Sequence, residues 1–313
     1  QSVSPSLFSP GGRYLLSHQN ELIQLRDAST GTKLIQFSLD GKINCYRFSF
    51  SPNGEWLAVT DADNSITIRE VRSGKTLRRL SGHEGVIRSI AWSPDGQRIV
   101  TGSSDCTVRF WDARGFQNHF FYPERNRAVH TTQFFPDGTL MTGADRGTIR
   151  FWKKQGGQLS RSIPGPGFGM HSCCVSSDYK TLAMANRKRI HLWDLETSHQ
   201  HLSLHNSKES WGRLTLSSNG RYFVTTGIVF PQKATLYQVR DGRAIWEIPE
   251  KVMSAAAITP DGKYLAFESG SIPNTITLWS IQDRKRSRIY QGHTRGIKAI
   301  NFTPNGSKMI TTS

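Results

Sequence analysis

The chain has 313 residues, with 40 Lys and Arg against 24 Asp and Glu, a formal charge of +16 and 36% hydrophobic residues. No apolar run approaches the roughly 20 residues that a membrane-spanning helix needs, and the apolar content suits a packed core rather than a disordered tail. The positive charge bears on acidic partners and says nothing about fold. The four cysteines, Cys45, Cys106, Cys173 and Cys174, form no C-x-x-C pair and no Cys/His spacing of a zinc site. They read as free thiols in a reducing compartment, so the expectation is a cytoplasmic protein with no metal and no cofactor.

Along the chain one tetrapeptide recurs. It reads SPGG at 9, SPNG at 51, SPDG at 93, FPDG at 135, SSDY at 176, SSNG at 217, TPDG at 259 and TPNG at 303. Pro presets the first corner of a tight turn and Gly tolerates the left-handed exit. Some seventeen residues beyond each turn lies a slot holding Arg26, Arg69, Trp111, Trp152, Trp193, Tyr237 and Trp279. The residues before it alternate in strand fashion, as in TVRFWD and RIHLWD. Six positions before each turn sit Val3, Cys45, Ile87, Val129, Met170, Trp211 and Met253, an apolar marker in phase with the other two.

Each unit of about 42 residues thus predicts four short antiparallel strands, a to d. In the third unit, a is VIRSIAW from 86, b is RIVTGSS, c is TVRFWDA and d is QNHFFYP. A sheet this small cannot bury both faces alone, and radial stacking buries them against neighbours. The fold class is therefore all-β, a β-propeller. Seven complete four-stranded blades cover 1–290, and a partial eighth repeat covers 291–313. Each of the seven units has its own strand d, which favours a ring of seven with the eighth repeat opening a second propeller. The alternative is a ring of eight. Both ends of the chain read as cuts through a longer polypeptide.

Trp111-Asp112, Trp193-Asp194, Gly82-His83 and Gly292-His293 give the chain a resemblance to the WD-repeat (WD40) β-propeller family. That resemblance implies a structural hydrogen-bond tetrad in the third blade: His83, Thr101 or Ser103, Asp105 and Trp111. Thr101 and Ser103 share a strand face, so the sequence does not choose between them. The other blades lack the full set. Arg69 replaces the Trp of the second, and Arg146, Arg187 and Pro273 fill the Asp slot of the fourth, fifth and seventh. A His/Ser/Asp group invites an enzymatic reading, but at these positions it satisfies buried polar groups.

No G-x-S-x-G, Walker or H-E-x-x-H pattern occurs, so no residue is assigned as catalytic and the chain is read as a non-enzymatic interaction scaffold or sensor module. The position five residues before each turn should ring the channel mouth, the face that WD-repeat proteins often use. Tyr46, Arg88, His130 and His171 fill it on four consecutive blades, while Ser4, Gly212 and Ser254 fill the others. These four are the candidate partner-binding residues. They suit a protein or peptide partner of acidic character, with other domains of the same polypeptide alongside and no membrane. The basic run DRKRSR at 283–288 is expected in the connection between strands c and d of the seventh blade, and NRKR at 186–189 between b and c of the fifth. Such runs support the alternative, electrostatic binding of nucleic acid or another polyanion. An enzyme with dispersed catalytic residues is the third reading.

Overall fold

A computed structural model describes residues 7–19, 22–38, 47–114, 121–123, 128–144, 147–153, 157–167, 170, 172–205, 211–227, 233–297, 299–303 and 305–312. The chain forms two compact units, Gln1–Pro164 and Gly165–Ser313. The first holds four four-stranded sheets, spanning 7–38, 48–80, 87–123 and 129–163. The second holds three, spanning 172–205, 211–247 and 252–290, and a two-stranded pair, Ala299–Phe302 with Met309–Thr312. In every sheet each strand pairs antiparallel with the next, in the order a-b-c-d.

The repeated turn explains why a and b pair where they do. At 93–96, Ser93 Oγ donates to Asp95 Oδ1 (2.6 Å) and accepts from Arg98 N (2.9 Å), while Gly96 N closes on Ser93 O (2.9 Å). Gly96 sits at φ +68°, and Tyr179 holds the matching left-handed position at φ +59° without being glycine. The same Ser/Thr–Asx bond recurs at Ser51, Ser176, Ser217, Thr259 and Thr303.

Burial follows the alternation and joins neighbouring sheets. Ala58, Ile66 and Ile68 of the second sheet pack with Ile87, Trp92, Ile99 and Trp111 of the third. Val100, Val108 and Phe110 of the third pack with Val129, Leu140 and Trp152 of the fourth. Each of the Val, Leu, Ile and Phe side chains among them is worth about 1.5–3 kcal/mol when fully buried. Gly102 lets the third and fourth sheets approach, since a Cβ there would collide with Val129. Polar pins one repeat apart add to this. Trp92 Nε1 donates to Ser49 O (2.9 Å), Arg47 Nε to Arg88 O (2.7 Å), and Thr215 Oγ1 to Ala256 O (3.3 Å). In the first unit the a strands of the second, third and fourth sheets pack side by side. In the second unit those of the fifth, sixth and seventh do the same, followed by Ala299–Phe302.

Six outer strands carry a register shift against strand c that leaves one residue unpaired: Leu34, Leu77, Ser160, His201, Ile245 and Ser287. A bulge twists an exposed edge and discourages pairing with another chain.

The structure corrects the expectation for DRKRSR. The turn between c and d is already closed by 281–284, and Lys285–Tyr290 is strand d itself, with Lys285 opposite Ser280, Arg286 opposite Trp279 and Arg288 opposite Leu278. Arg286 stacks over the Trp279 ring at 5.7 Å and Arg288 over Tyr290 at 5.8 Å, which gives these long side chains an apolar bed that a solvated turn lacks. Of NRKR, Asn186, Arg187 and Lys188 lie between strands Thr181–Ala185 and Arg189–Asp194, and Arg189 opens the second. In the third sheet strand d is Phe121–Pro123, and 115–120 lie outside the described residues.

The partial eighth repeat is packed on its neighbour. Ile297 and Ile300, with Phe302 and Met309 beside them, cover Ala257, Ala266 and Ile276 of the seventh sheet. Buried Glu268 accepts from Ile297 N through Oε1 at 2.8 Å. Glu268→Ala removes that acceptor and is expected to cost about 1–3 kcal/mol, with faster proteolysis of 291–313. Glu268→Gln keeps an acceptor and is expected to lose less. Equal protease sensitivity in wild type and Glu268→Ala would remove Glu268 from this role.

Candidate functional site

Strands b and c of the third sheet, Arg98–Ser103 and Thr107–Asp112, bring Thr101, Asp105 and Trp111 to His83. Asp105 Oδ2 accepts from His83 Nδ1 at 2.6 Å, so the ring proton sits on Nδ1. His83 Nε2 is then an acceptor, 2.7 Å from Thr101 Oγ1, and Thr101 Oγ1 accepts from Trp111 Nε1 at 2.8 Å. The chain of donors runs from Trp111 through Thr101 and His83 to the Asp105 carboxylate. The geometry selects Thr101, whereas Ser103 Oγ donates to Gly85 O at 2.9 Å. Thr107 and Glu84 N supply further bonds to Asp105. Every polar atom in the group is used within the sheet, so it holds the fold and is not poised to attack a substrate.

Partial copies occur where the strand-b residue two beyond the partner of the Trp carries a hydroxyl. Thr142 in the fourth sheet accepts from Trp152 Nε1 at 2.9 Å. The corresponding residues in the fifth and seventh sheets are Met184 and Phe267, and the indole N–H groups of Trp193 and Trp279 find no acceptor there. In the eighth repeat His293 Nε2 meets Thr311 Oγ1 at 2.6 Å. The Thr two residues along strand b, not the Asp slot, is the sequence signal for the Trp152–Thr142 bond.

Of the four channel-mouth candidates, Tyr46 and His171 lie outside the described residues. Arg88 and His130 are the second residues of strands Ile87–Trp92 and Val129–Phe134. Both sit at bulges. The ladder passes from Ile87 to Ser89 opposite Ser103 and Gly102, and from Val129 to Thr131 opposite Ala144 and Gly143, skipping Arg88 and His130. A bulge re-aims the skipped side chain out of the regular alternation. Among the described residues, the buried atoms Arg88 Nε, Ser89 Oγ and Thr132 Oγ1 near them have no hydrogen-bond partner. Among the described residues, no cluster of three His, Cys, Asp or Glu could hold a metal. Burial pushes the Cys173 thiol up to about 12 and Cys174 upward too, which makes both poor nucleophiles at neutral pH.

Two buried histidines set a pH dependence. Burial holds His83 below its ordinary pKa, against the pull of Asp105, and burial with Arg189 lowers His191 likewise. A lowered folded value means that the unfolded chain binds protons first, so this stability is complete above the unfolded histidine pKa of about 6.5 and is lost as pH falls below it. Asp61, raised by burial, acts in the opposite sense nearer the carboxylate range. The urea midpoint is expected to fall between pH 7.5 and pH 5.5. A midpoint that is flat or rises over that interval contradicts neutral burial of both rings.

Residues 44–313 match the family described as IFT122 first beta-propeller. An uncharacterized WD repeat-containing protein of Synechocystis sp. is 30% identical over 137 residues, 42% of this chain and 38% of that protein. WD repeat-containing protein 1 of Gallus gallus is 38% identical over 73 residues, 22% of this chain and 12% of its own length. Jouberin of Rattus norvegicus is 40% identical over 79 residues, 24% of this chain and 8% of its own. The matched segments thus span well under half of those relatives. The Thr101-centred tetrad, the antiparallel four-stranded repeats and the match over 44–313 together place the chain in the WD-repeat β-propeller family, with the IFT122 first beta-propeller.

Proposed function

We propose that this chain is a non-enzymatic protein-interaction module of a larger cytoplasmic polypeptide, and that it binds an acidic protein or peptide segment over Arg88 and His130. The observation that carries this reading is the pair of β-bulges on two neighbouring a strands, which take Arg88 and His130 out of the regular alternation. A carboxylate-bearing partner can meet the Arg88 guanidinium as a planar fork. The net charge of +16 steers such a partner to the surface. Membership of a repeat family that matches only part of longer relatives supports a module within a larger protein.

A second reading is polyanion binding along Lys285–Tyr290, where Lys285, Arg286 and Arg288 are exposed on an outer strand. Salt separates the two. Binding of a single-stranded oligonucleotide that neutralises several phosphates weakens steeply as salt rises, with a slope of about 0.7 per phosphate neutralised. The interaction proposed here predicts weak oligonucleotide binding near physiological salt. Tight binding with a steep slope, abolished by substituting Lys285, Arg286 and Arg288, favours the polyanion reading.

A further inference from the structure

Four hydroxyl residues in the sequence follow an arginine by three positions: Ser29, Ser81, Thr101 and Ser287. Three are compromised. The Ser29 hydroxyl donates to the Asp27 carboxylate, and an acid stands two residues before it. Thr101 is fully buried. Ser287 has basic residues at both upstream positions but lies within strand Lys285–Tyr290, where Arg286 is spread over Trp279. Ser81 differs from all of these. It is exposed and belongs to no strand, just beyond the outer strand Thr76–Leu80 of the second sheet. Arg78 and Arg79 stand three and two residues before it, and both are exposed.

We propose that Ser81 is a phosphorylation site for an arginine-directed serine/threonine kinase. An acidic kinase groove recognises paired arginines upstream of a hydroxyl by charge-assisted bonds. Arg78 has a solvent-exposed side chain for this. Arg79 pairs with Asp63 at 2.6 Å and donates through Nε to Ser65 Oγ at 3.0 Å, a half-exposed contact that a kinase carboxylate must replace. In the transfer, Ser81 Oγ bonds to the γ-phosphorus of ATP as the bond to the β-phosphate oxygen breaks. ADP leaves with that electron pair, and the hydroxyl proton passes to the kinase's catalytic carboxylate. The product carries close to two negative charges and three strong acceptors. They arrive on the seam between the second and third sheets. A Cβ on the adjoining Gly82 would lie 2.6 Å from Arg109 Nη1, so a guanidinium is packed against the residue next to the phosphate. His83 of the tetrad follows directly in sequence.

The test incubates the folded chain with Mg-ATP and the catalytic subunit of a cyclic-AMP-dependent protein kinase, and maps phosphate by peptide mass spectrometry. Phosphate is expected on Ser81. Ser81→Ala should abolish it without moving the thermal midpoint, and Arg78→Gln should slow incorporation at least about tenfold, the loss expected for one charge-assisted contact. A synthetic peptide of residues 76–84 is the reference. Labelling of the peptide but not of the folded chain, labelling at Ser29 or Ser287 in place of Ser81, or no labelling of either substrate overturns the assignment.

Discussion

Trp111→Ala is expected to destabilise the chain by about 3–5 kcal/mol, the usual range for truncating a buried aromatic. Its indole is 1% exposed, packs with Ile66, Ile87 and Ile99, and donates to Thr101. Arg69 occupies the same slot one sheet earlier and does different work. Its guanidinium lies over the Phe37 ring at 4.6 Å and donates to Gly74 O at 3.2 Å, as Arg26 donates to Gly31 O at 3.0 Å. Such contacts are worth about 0.5–1 kcal/mol near the surface, so Arg69→Ala should cost far less. Urea melts of the two variants check this. Equal losses would contradict the different roles assigned to the slot.

Thr101→Val removes one hydroxyl while keeping shape, and is expected to be disproportionately costly. Two partners lose their bond at once, His83 Nε2 and Trp111 Nε1. Each stranded group costs about 1–3 kcal/mol, falling short of full addition because the two share one network. Ser103→Ala, two residues along the same strand face, breaks a bond to Gly85 O and one from Asp105 N; both lie at the turn outside the indole–imidazole network, so it should cost about 1–2 kcal/mol and less than Thr101→Val. If Ser103→Ala proves the more damaging, Thr101 is not the hub of the network. A double-mutant cycle with His83→Ala gives the coupling directly.

The sequence made the sheets legible because turn chemistry is local. Ser-Pro-Asp-Gly at 93–96 marks a turn whatever surrounds it, and the alternation in TVRFWD at 107–112 marks the strand that follows. Choices between residues on one face were not legible. Thr101 and Ser103 both point to the same side, and only the position of His83 separates them. Bulges were hidden for a related reason. Whether Arg88 or His130 is skipped depends on the register of two strands together, and neither strand alone encodes it. DRKRSR was misread because charge density resembles a turn, whereas the ladder opposite Leu278–Ser280 and the aromatic beds of Trp279 and Tyr290 make it a strand.

Arg88 and His130 lend themselves to direct measurement. Wild type, Arg88→Ala and the triple variant Arg284→Ala/Lys285→Ala/Arg286→Ala are compared in quantitative capture of partners from a cell extract at physiological salt, with a urea melt of each. Arg88→Ala is expected to weaken its partner by about 2 kcal/mol or more, as a binding hot spot does, while its melt moves by no more than about 0.5 kcal/mol; the triple variant should keep the partner. If Arg88→Ala retains every partner and the triple variant loses them, Arg88 and His130 are not the binding surface and the basic outer strand is.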